Sequence, residues 1–185
     1  QTLTIIERQF SRKDSSFCQD LSGQFIDLSP DIRSQNPHMH LLEAALYLLE
    51  NDKQNPRYLT LVNRLLNLFE NKILGNGNKI IREYLDQSFK PSLVNSFIIE
   101  PGHHYEWAWL LNWSDKIHKS KKYGTLTKTL FETGWRLGWD CNNGGVFDEF
   151  DCENNQVFRS SKRLWPLLEL IKVLSVLSKN SHDDD

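Results

Sequence analysis

His103 and Glu106 lie three residues apart in the segment 100–111, EPGHHYEWAWLL, and their spacing suits acid-base chemistry. Pro101 fits the first turn of a helix, and the apolar residues after it recur at helical spacing. Residues three apart share one face of a helix. The dipole at a helix N-terminus disfavours a positive charge, so His103 is expected to be neutral and able to accept a proton at pH 7. We therefore predict that His103 is an acid-base group with Glu106 beside it.

The His-x-x-Glu pattern occurs twice, at His40 and Glu43 and again at His103 and Glu106, 63 residues later. Glu169 follows Glu106 at the same interval. Each glutamate falls early in a predicted helix, and in the first two units a second amphipathic helix follows. Such repeats stack as helical hairpins that bury their apolar faces on their neighbours. The sequence therefore predicts an all-α toroid of about three hairpins, with short β-hairpins in the loops.

The elements that must position these residues follow from apolar periodicity and from helix breakers. Asn36 has the side-chain type of a helix N-cap. A single domain is predicted over residues 1–180, followed by a loose polar tail at 181–185. The further predicted helices begin at 36 and span 56–74, 123–137 and 162–177, and a β-hairpin is predicted from 144–151 and 156–159.

The composition is that of a soluble globular protein, with 185 residues, 39% hydrophobic residues and a net charge of −2. The lysine cluster at 119–122 is too short to form a basic surface for nucleic acid. Cys18, Cys141 and Cys152 do not have metal-ligand spacing. They are interpreted as free thiols of a reducing compartment, with a disulfide between Cys141 and Cys152 as the alternative. No apolar run is long enough to span a membrane. A cytoplasmic protein without nucleic-acid or membrane partners is expected.

Four segments of the chain resemble the N-acylglucosamine 2-epimerase family, which includes mannose isomerases and cellobiose 2-epimerases. Their amino-acid sequences are most similar to those of the mannose isomerases. This resemblance implies an (α/α)6 barrel of about twice this length, so the chain is expected to hold the middle and later repeats. The family's N-terminal arginine and its second catalytic histidine have no counterpart here. The segments are QNPHMHLLEA at 35–44, EPGHHYEWAW at 100–109, GGVFDE at 144–149 and RLWPLLE at 163–169.

The resemblance also implies an activity, namely a sugar isomerase or 2-epimerase that moves a proton between C1 and C2 of an open-chain aldose. Such chemistry needs a base that takes the acidic hydrogen next to a carbonyl and returns it as an acid. It needs no cofactor and no metal. The expected partner is a monosaccharide, and a homo-oligomer is possible. Carried over by position, the expected catalytic residues are His103, Glu106 and Glu169, and the expected substrate-binding residues are Asn36, His40 and Trp165.

Other interpretations of the same residues remain open. Glu106 and Glu169 could be the paired acids of a glycoside hydrolase or lyase on a helical toroid, or the chain could be a sugar-binding fragment without activity. His38 is interpreted as structural, and the tryptophans of EWAWLLNW are more typical of a core than of a sugar platform. A metal site formed by His38, His40 and Glu43 is disfavoured, because residues two apart point away from each other on a helix.

Overall fold

The computed structural model describes residues 1–74, 79–93 and 95–182. Six α-helices and five short strands are found in this part of the chain, and two π-helical turns, at Ile6–Phe10 and Phe69–Ile73, extend α1 and α3. The helices are α1 (Thr2–Ile5), α2 (Asn36–Asn51), α3 (Pro56–Leu68), α4 (Pro101–His118), α5 (Gly124–Gly138) and α6 (Leu164–His182). The strands are β1 (Ile32–Ser34), β2 (Tyr84–Asp86), β3 (Ile98–Ile99), β4 (Glu149–Asp151) and β5 (Gln156–Arg159).

Two helical hairpins, α2 with α3 and α4 with α5, lie side by side, and α6 packs against the second. Helix α4 is central, because it contacts α2, α5 and α6. The predicted all-α architecture of stacked hairpins with β-structure in the loops is confirmed. The predicted β-hairpin is confirmed as β4 and β5, although its first strand begins at Glu149 rather than at 144.

Helix α4 is buried on nearly all sides. Pro101 occupies its first turn, where the missing N–H leaves no hydrogen bond unmade. Trp107 is fully buried and stacks on Phe69 with 3.9 Å between ring centroids, so it belongs to the core rather than to a sugar platform. The helix ends at His118, and the next residue, Lys119, adopts the left-handed conformation that closes many helices. Because α4 is enclosed, its polar side chains depend on partners inside the protein, and only the Tyr105 hydroxyl and Asn112 Oδ1 lack one among the described residues of this helix.

Short antiparallel strands fix the starts of the two helices that carry the His-x-x-Glu pattern. Strand β1 leads directly into α2 and pairs with β2, with Ser34 opposite Tyr84. Strand β3 leads into α4 and pairs with β4. Glu83 lies just before β2 and links both regions, since its carbonyl accepts from Gln35 N–H at 3.2 Å and its N–H donates to the Ile98 carbonyl at 3.1 Å. The two helix starts are thereby held together by backbone hydrogen bonds.

The structure corrects several local predictions. Asn36 is the first residue of α2 and makes no capping bond, because its side chain turns to His103. Helix α6 continues to His182, past its predicted end, and residues 183–185 of the predicted tail lie outside the described residues. The predicted helix stop at 75–78 also lies outside them. The three cysteines are free thiols, as predicted. None of the helices in the described ranges has the length and apolarity needed to cross a membrane.

Replacing Gly138 with alanine is expected to destabilise the protein. An added Cβ would collide with the Cβ of Pro101 and lie 2.8 Å from its Cγ, and the proline ring at the start of α4 has little room to move. Overpacking of this kind costs about 1–3 kcal/mol. The matched control is Gly124→Ala in the same helix, where nothing lies within 4 Å of the added atom. Urea unfolding of both variants tests this, and equal stabilities would contradict the close packing of α5 on Pro101.

Candidate active site

A cavity of about 350 Å³ opens where α2, α4 and α6 converge. All six residues predicted from the sequence as site residues line it, together with Glu43, Glu100 and Arg163. The helical repeat explains this convergence, because equivalent positions of neighbouring hairpins point toward the same interior. The lining residues are Asn36, His40, Glu43, Glu100, His103, Glu106, Arg163, Trp165 and Glu169. The roles assigned to them from the sequence remain predictions.

His103 is buried in the wall of this cavity, with only 3% of its surface exposed. Its Nδ1 lies 2.8 Å from the Oε1 of Glu83, and its Nε2 lies 3.3 Å from the Nδ2 of Asn36. The ring of Trp165 covers it at 4.9 Å between centroids. The imidazole is therefore held at one nitrogen by a carboxylate, while the other nitrogen lies beside a cavity-lining amide.

Glu83 is the partner that sequence analysis missed. It is buried, and besides His103 its carboxylate accepts from the Gln35 side chain at 2.9 Å and from the Glu100 N–H at 3.2 Å. The Trp107 indole N–H in turn donates to Gln35 Oε1 at 2.7 Å. Glu83 immediately precedes β2 and has no spacing relation to α4, so a single sequence, which does not reveal the strand pairing, could not identify it.

The electrostatics of His103 differ from the sequence-based expectation. Burial alone would lower its pKa, but the charge and hydrogen bond of Glu83, with smaller contributions from Glu100 and Glu106, outweigh burial and raise it. Burial likewise would raise the pKa of Glu83, yet the charge and hydrogen bond of His103 lower it. The helix dipole is therefore not the main influence on the pKa of His103, because a contacting carboxylate acts more strongly than the partial charge of a helix end. That His103 is neutral at pH 7 remains a prediction.

Glu106 pairs with His40 rather than hydrogen-bonding His103. The Oε1 of Glu106 lies 3.3 Å from His40 Nδ1, and the Oε2 of Glu43 lies 3.8 Å from the same atom. Glu106 is buried, whereas the His40 side chain is 55% exposed. The hydrogen bond with Glu106 is the main cause of the raised pKa of His40. The site thus contains two histidine-glutamate pairs, one enclosed and one open to solvent.

Glu169 and Arg163 complete the wall on the α6 side. Both oxygens of the Glu169 carboxylate are engaged, one by the Trp109 indole N–H at 2.6 Å and the other by Lys172 Nζ at 2.9 Å. Arg163 bonds Glu100 at 2.6 Å and Asp148 at 2.8 Å. Among the described residues, Arg163 is the one guanidinium that lines the cavity, and two carboxylates neutralise it.

Comparison with known proteins agrees with this arrangement. The family model for N-acylglucosamine 2-epimerase (GlcNAc 2-epimerase) matches residues 1–185. The chain belongs to the N-acylglucosamine 2-epimerase family.

Relatives within and around this family show which enzymes the chain is similar to. It is 27% identical to a D-mannose isomerase of Marinomonas mediterranea, covering 99% of this chain and 49% of that protein. It is 31% identical to a mannose-6-phosphate isomerase of Rhizobium meliloti, covering 74% and 36% respectively. The chain thus spans at most about half the length of these curated relatives.

Solved structures support the same fold. A crystal structure of D-mannose isomerase superposes with a TM-score of 0.84 at 26% identity, over 99% of this chain and 49% of that one. A cellobiose 2-epimerase from Bacillus thermoamylovorans superposes with a TM-score of 0.67 at 14% identity, over 96% and 52% respectively. The second likeness concerns the fold alone. The family and fold expected from the sequence are both confirmed.

Two groups of side chains in this family member bring oxygen and nitrogen atoms within 4.8 Å of one another. In each group the imidazole already pairs with a carboxylate, so the side chains have polar partners without a bound ion. The prediction that no metal is used remains a prediction. The groups are His40 with Glu43 and Glu106, and His103 with Glu83 and Glu100.

The remaining buried histidines serve the framework of the site. His38 accepts from the Phe17 N–H and bonds the Ser34 carbonyl, both at 2.8 Å, which agrees with the structural role expected for it. His104 accepts from the Ile81 N–H at 3.1 Å. Burial lowers the pKa of each to about 4. Both imidazoles are therefore neutral in the folded protein at pH 7.

Replacing His104 with glutamine is expected to reduce acid destabilisation, since glutamine retains an acceptor for Ile81. The pKa of His104 is about 4 when folded and 6.5 ordinarily, so between these values the unfolded chain binds the extra proton and stability falls as pH falls. Between pH 6.5 and 4 the variant should lose on the order of 3 kcal/mol less than the wild type.

Urea unfolding at a series of pH values measures this difference. The raised pKa values of His40 and His103 act in the opposite sense, stabilising below pH 6.5 and losing that effect as pH rises, but they are common to both proteins. The control is His118→Gln at the exposed end of α4. If the free energy of unfolding fell equally with pH in the wild type and in the His104 variant, the pKa of His104 would be the same in the folded and unfolded states. That result would contradict the prediction.

Proposed function

We propose that this chain forms the sugar pocket and one proton-transfer site of a monosaccharide isomerase or 2-epimerase acting through an enediolate. One observation carries the proposal: the cavity wall holds a buried imidazole, His103, with Nδ1 bonded to Glu83 and Nε2 beside Asn36. A histidine held in this way has the geometry of a general acid-base group. The similarity to a D-mannose isomerase favours the isomerisation of a free aldose.

In the proposed reaction, neutral His103 takes the C2 hydrogen of the open-chain aldose as a proton. The C–H electron pair forms the C1–C2 double bond of the enediolate, and the carbonyl oxygen gains the negative charge. Return of a proton from the same nitrogen to C1 gives the ketose, and exchange of that proton with solvent before its return would introduce deuterium from D₂O. A raised pKa makes imidazole a stronger base, and the imidazolium formed is stabilised by Glu83. Epimerisation at C2 would need a second base on the opposite face of the enediolate.

The His40 and Glu106 pair suits the oxygen protons of the same reaction. Isomerisation also moves a proton between O1 and O2, and a second acid-base pair in the same cavity can carry it. His40 is half exposed and can exchange protons with water, whereas Glu106 is buried and bonded to it. Trp165, which covers His103, gives an apolar face for the sugar, and Asn36 and Glu169 offer polar groups to its hydroxyls.

The charge of the cavity favours a neutral sugar over a sugar phosphate. Four carboxylates line it, and its one arginine, Arg163, is already paired with Glu100 and Asp148. A phosphate dianion would meet net repulsion there. The lining carboxylates are Glu43, Glu100, Glu106 and Glu169.

The decisive experiment is proton NMR of mannose, glucose, N-acetylmannosamine and mannose 6-phosphate in D₂O. The chain is tested alone and within a protein extended to the length of its relatives. We expect deuterium to enter C1 or C2 of a neutral sugar as it is interconverted. His103→Ala should lower the rate at least about a hundredfold, the scale of a general acid-base contribution. His118→Ala, on the same helix, is the control.

Each alternative gives a distinct result in that experiment. Preferential turnover of mannose 6-phosphate would overturn the inference from charge. Released reducing ends from glycosides would favour a hydrolase, although the bonded state of Glu169 gives that mechanism little support. Binding of a sugar by the extended protein with neither interconversion nor deuterium exchange would leave a sugar-binding role and remove the isomerase.

A cytoplasmic location is a further proposal. Self-association of the chain is another, and the surface of α6 supports it. Four large apolar side chains form a solvent-exposed stripe along this helix. Exposed contiguous apolar surface favours association. The stripe consists of Leu164, Leu168, Ile171 and Leu174.

Introducing charge into this stripe should shift the chain toward the monomer. We expect Leu168→Lys with Ile171→Lys to lower the mass measured by light scattering toward the 21.7 kDa of one chain. The control is Leu59→Lys, at an exposed leucine on α3. A wild-type chain that stays at that mass at all concentrations would refute self-association.

A further inference from the structure

The orientation of the Gln35 amide is determined by its neighbours. An indole N–H can only donate, so the Gln35 atom 2.7 Å from Trp107 Nε1 must be the carbonyl oxygen. The Gln35 NH₂ group therefore points the other way, where it donates to Glu83 Oε2 at 2.9 Å. Glu83 also accepts from the Glu100 N–H. The carboxylate is thus fixed from two sides, independently of His103.

The proton between Glu83 and His103 then has one favourable position. Nδ1 lies 2.8 Å from both Glu83 Oε1 and Gln35 Nε2, but it can donate only to the carboxylate and accept only from the amide. A charge-assisted bond to a carboxylate is roughly twice as strong as a neutral one. If Nδ1 carried no proton, its lone pair would face the negatively charged Glu83 oxygen and be repelled by it. The proton therefore belongs on Nδ1.

We propose that Glu83 is a positioning residue that holds the proton of neutral His103 on Nδ1 and leaves Nε2 as the nitrogen that exchanges protons in the cavity. That a sugar is the partner in this proton exchange rests on the proposed function. The assignment of the tautomer does not. Asn36 can serve both states of His103. Its NH₂ group donates to the Nε2 lone pair, and after a turn of the amide its oxygen accepts from the protonated ring.

Glu83 should dominate the titration of His103 among the charged groups around it. Glu100 and Glu106 face it from α4, His40 from α2, and Arg163 and Glu169 from the α6 side of the cavity. Of these groups, only Glu83 is bonded to the ring. An opposite charge at this distance shifts a pKa by about one to three units. Removing the Glu83 charge should therefore lower the pKa of His103 more than neutralising any other carboxylate.

The test is a pH titration of the histidine side chains by ¹H–¹⁵N NMR, with His103 assigned by its loss in His103→Ala. In the wild type we expect the Nδ1–H tautomer and a pKa above the ordinary 6.5. In Glu83→Gln the pKa of His103 should fall by about one unit or more, a tenfold weaker hold on the proton. Glu132→Gln, at an exposed carboxylate of α5 near Lys128, is the matched control and should leave the titration unchanged.

An Nε2–H tautomer or a pKa at or below 6.5 in the wild type would overturn the proposal, without any variant. An unshifted titration in folded Glu83→Gln would also overturn it. Because this measurement needs no sugar, it is separate from the proposed function. A wild type with the expected tautomer but no turnover would refute the isomerase alone. If turnover is found, Glu83→Gln should shift the acid limb of the kcat/KM profile, which a purely structural defect would not do.

Discussion

The contact between the buried His103 imidazole and the buried Glu83 carboxylate sets the requirements that the surrounding structure meets. A charge pair inside a protein is stable only if its remaining hydrogen-bonding groups are also satisfied. Here the second carboxylate oxygen is bonded by Gln35, whose own carbonyl is held by Trp107. Gln35, Glu83 and Trp107 come from separate elements, so the bonds that hold His103 also join those elements.

Enclosure of α4 explains why so many polar groups gather at this cavity. The helix is packed against three others, and its first two turns have no exposed face on which His103 or Glu106 could reach solvent freely. Each side chain is instead paired with a partner from another element. Pre-paired groups of this kind need little rearrangement when charge develops during a reaction.

The sequence predicted what depends on helical periodicity and failed where the contact depends on strand pairing. The 63-residue repeat correctly placed His40, His103 and Glu169 in one cavity, because equivalent positions of stacked hairpins face the same interior. It could not identify Glu83, which the pairing of β1 with β2 and the bond to the Ile98 carbonyl place beside His103. The helix dipole was a poor guide to the pKa of His103, and Glu106 is bonded to His40 rather than to His103, for the same reason. The sequence argument considered one helix, and the bonding partners come from other elements.

The short ladder between β1 and β2 has a consequence for how this site can diverge during evolution. Gln35 and Glu83 each lie one residue beyond the pair formed by Ser34 and Tyr84. A slip of one residue in that ladder would turn Glu83 to the opposite face. A change of length within the three paired residues would therefore separate Glu83 from His103, whereas residues 87–93 lie outside this register.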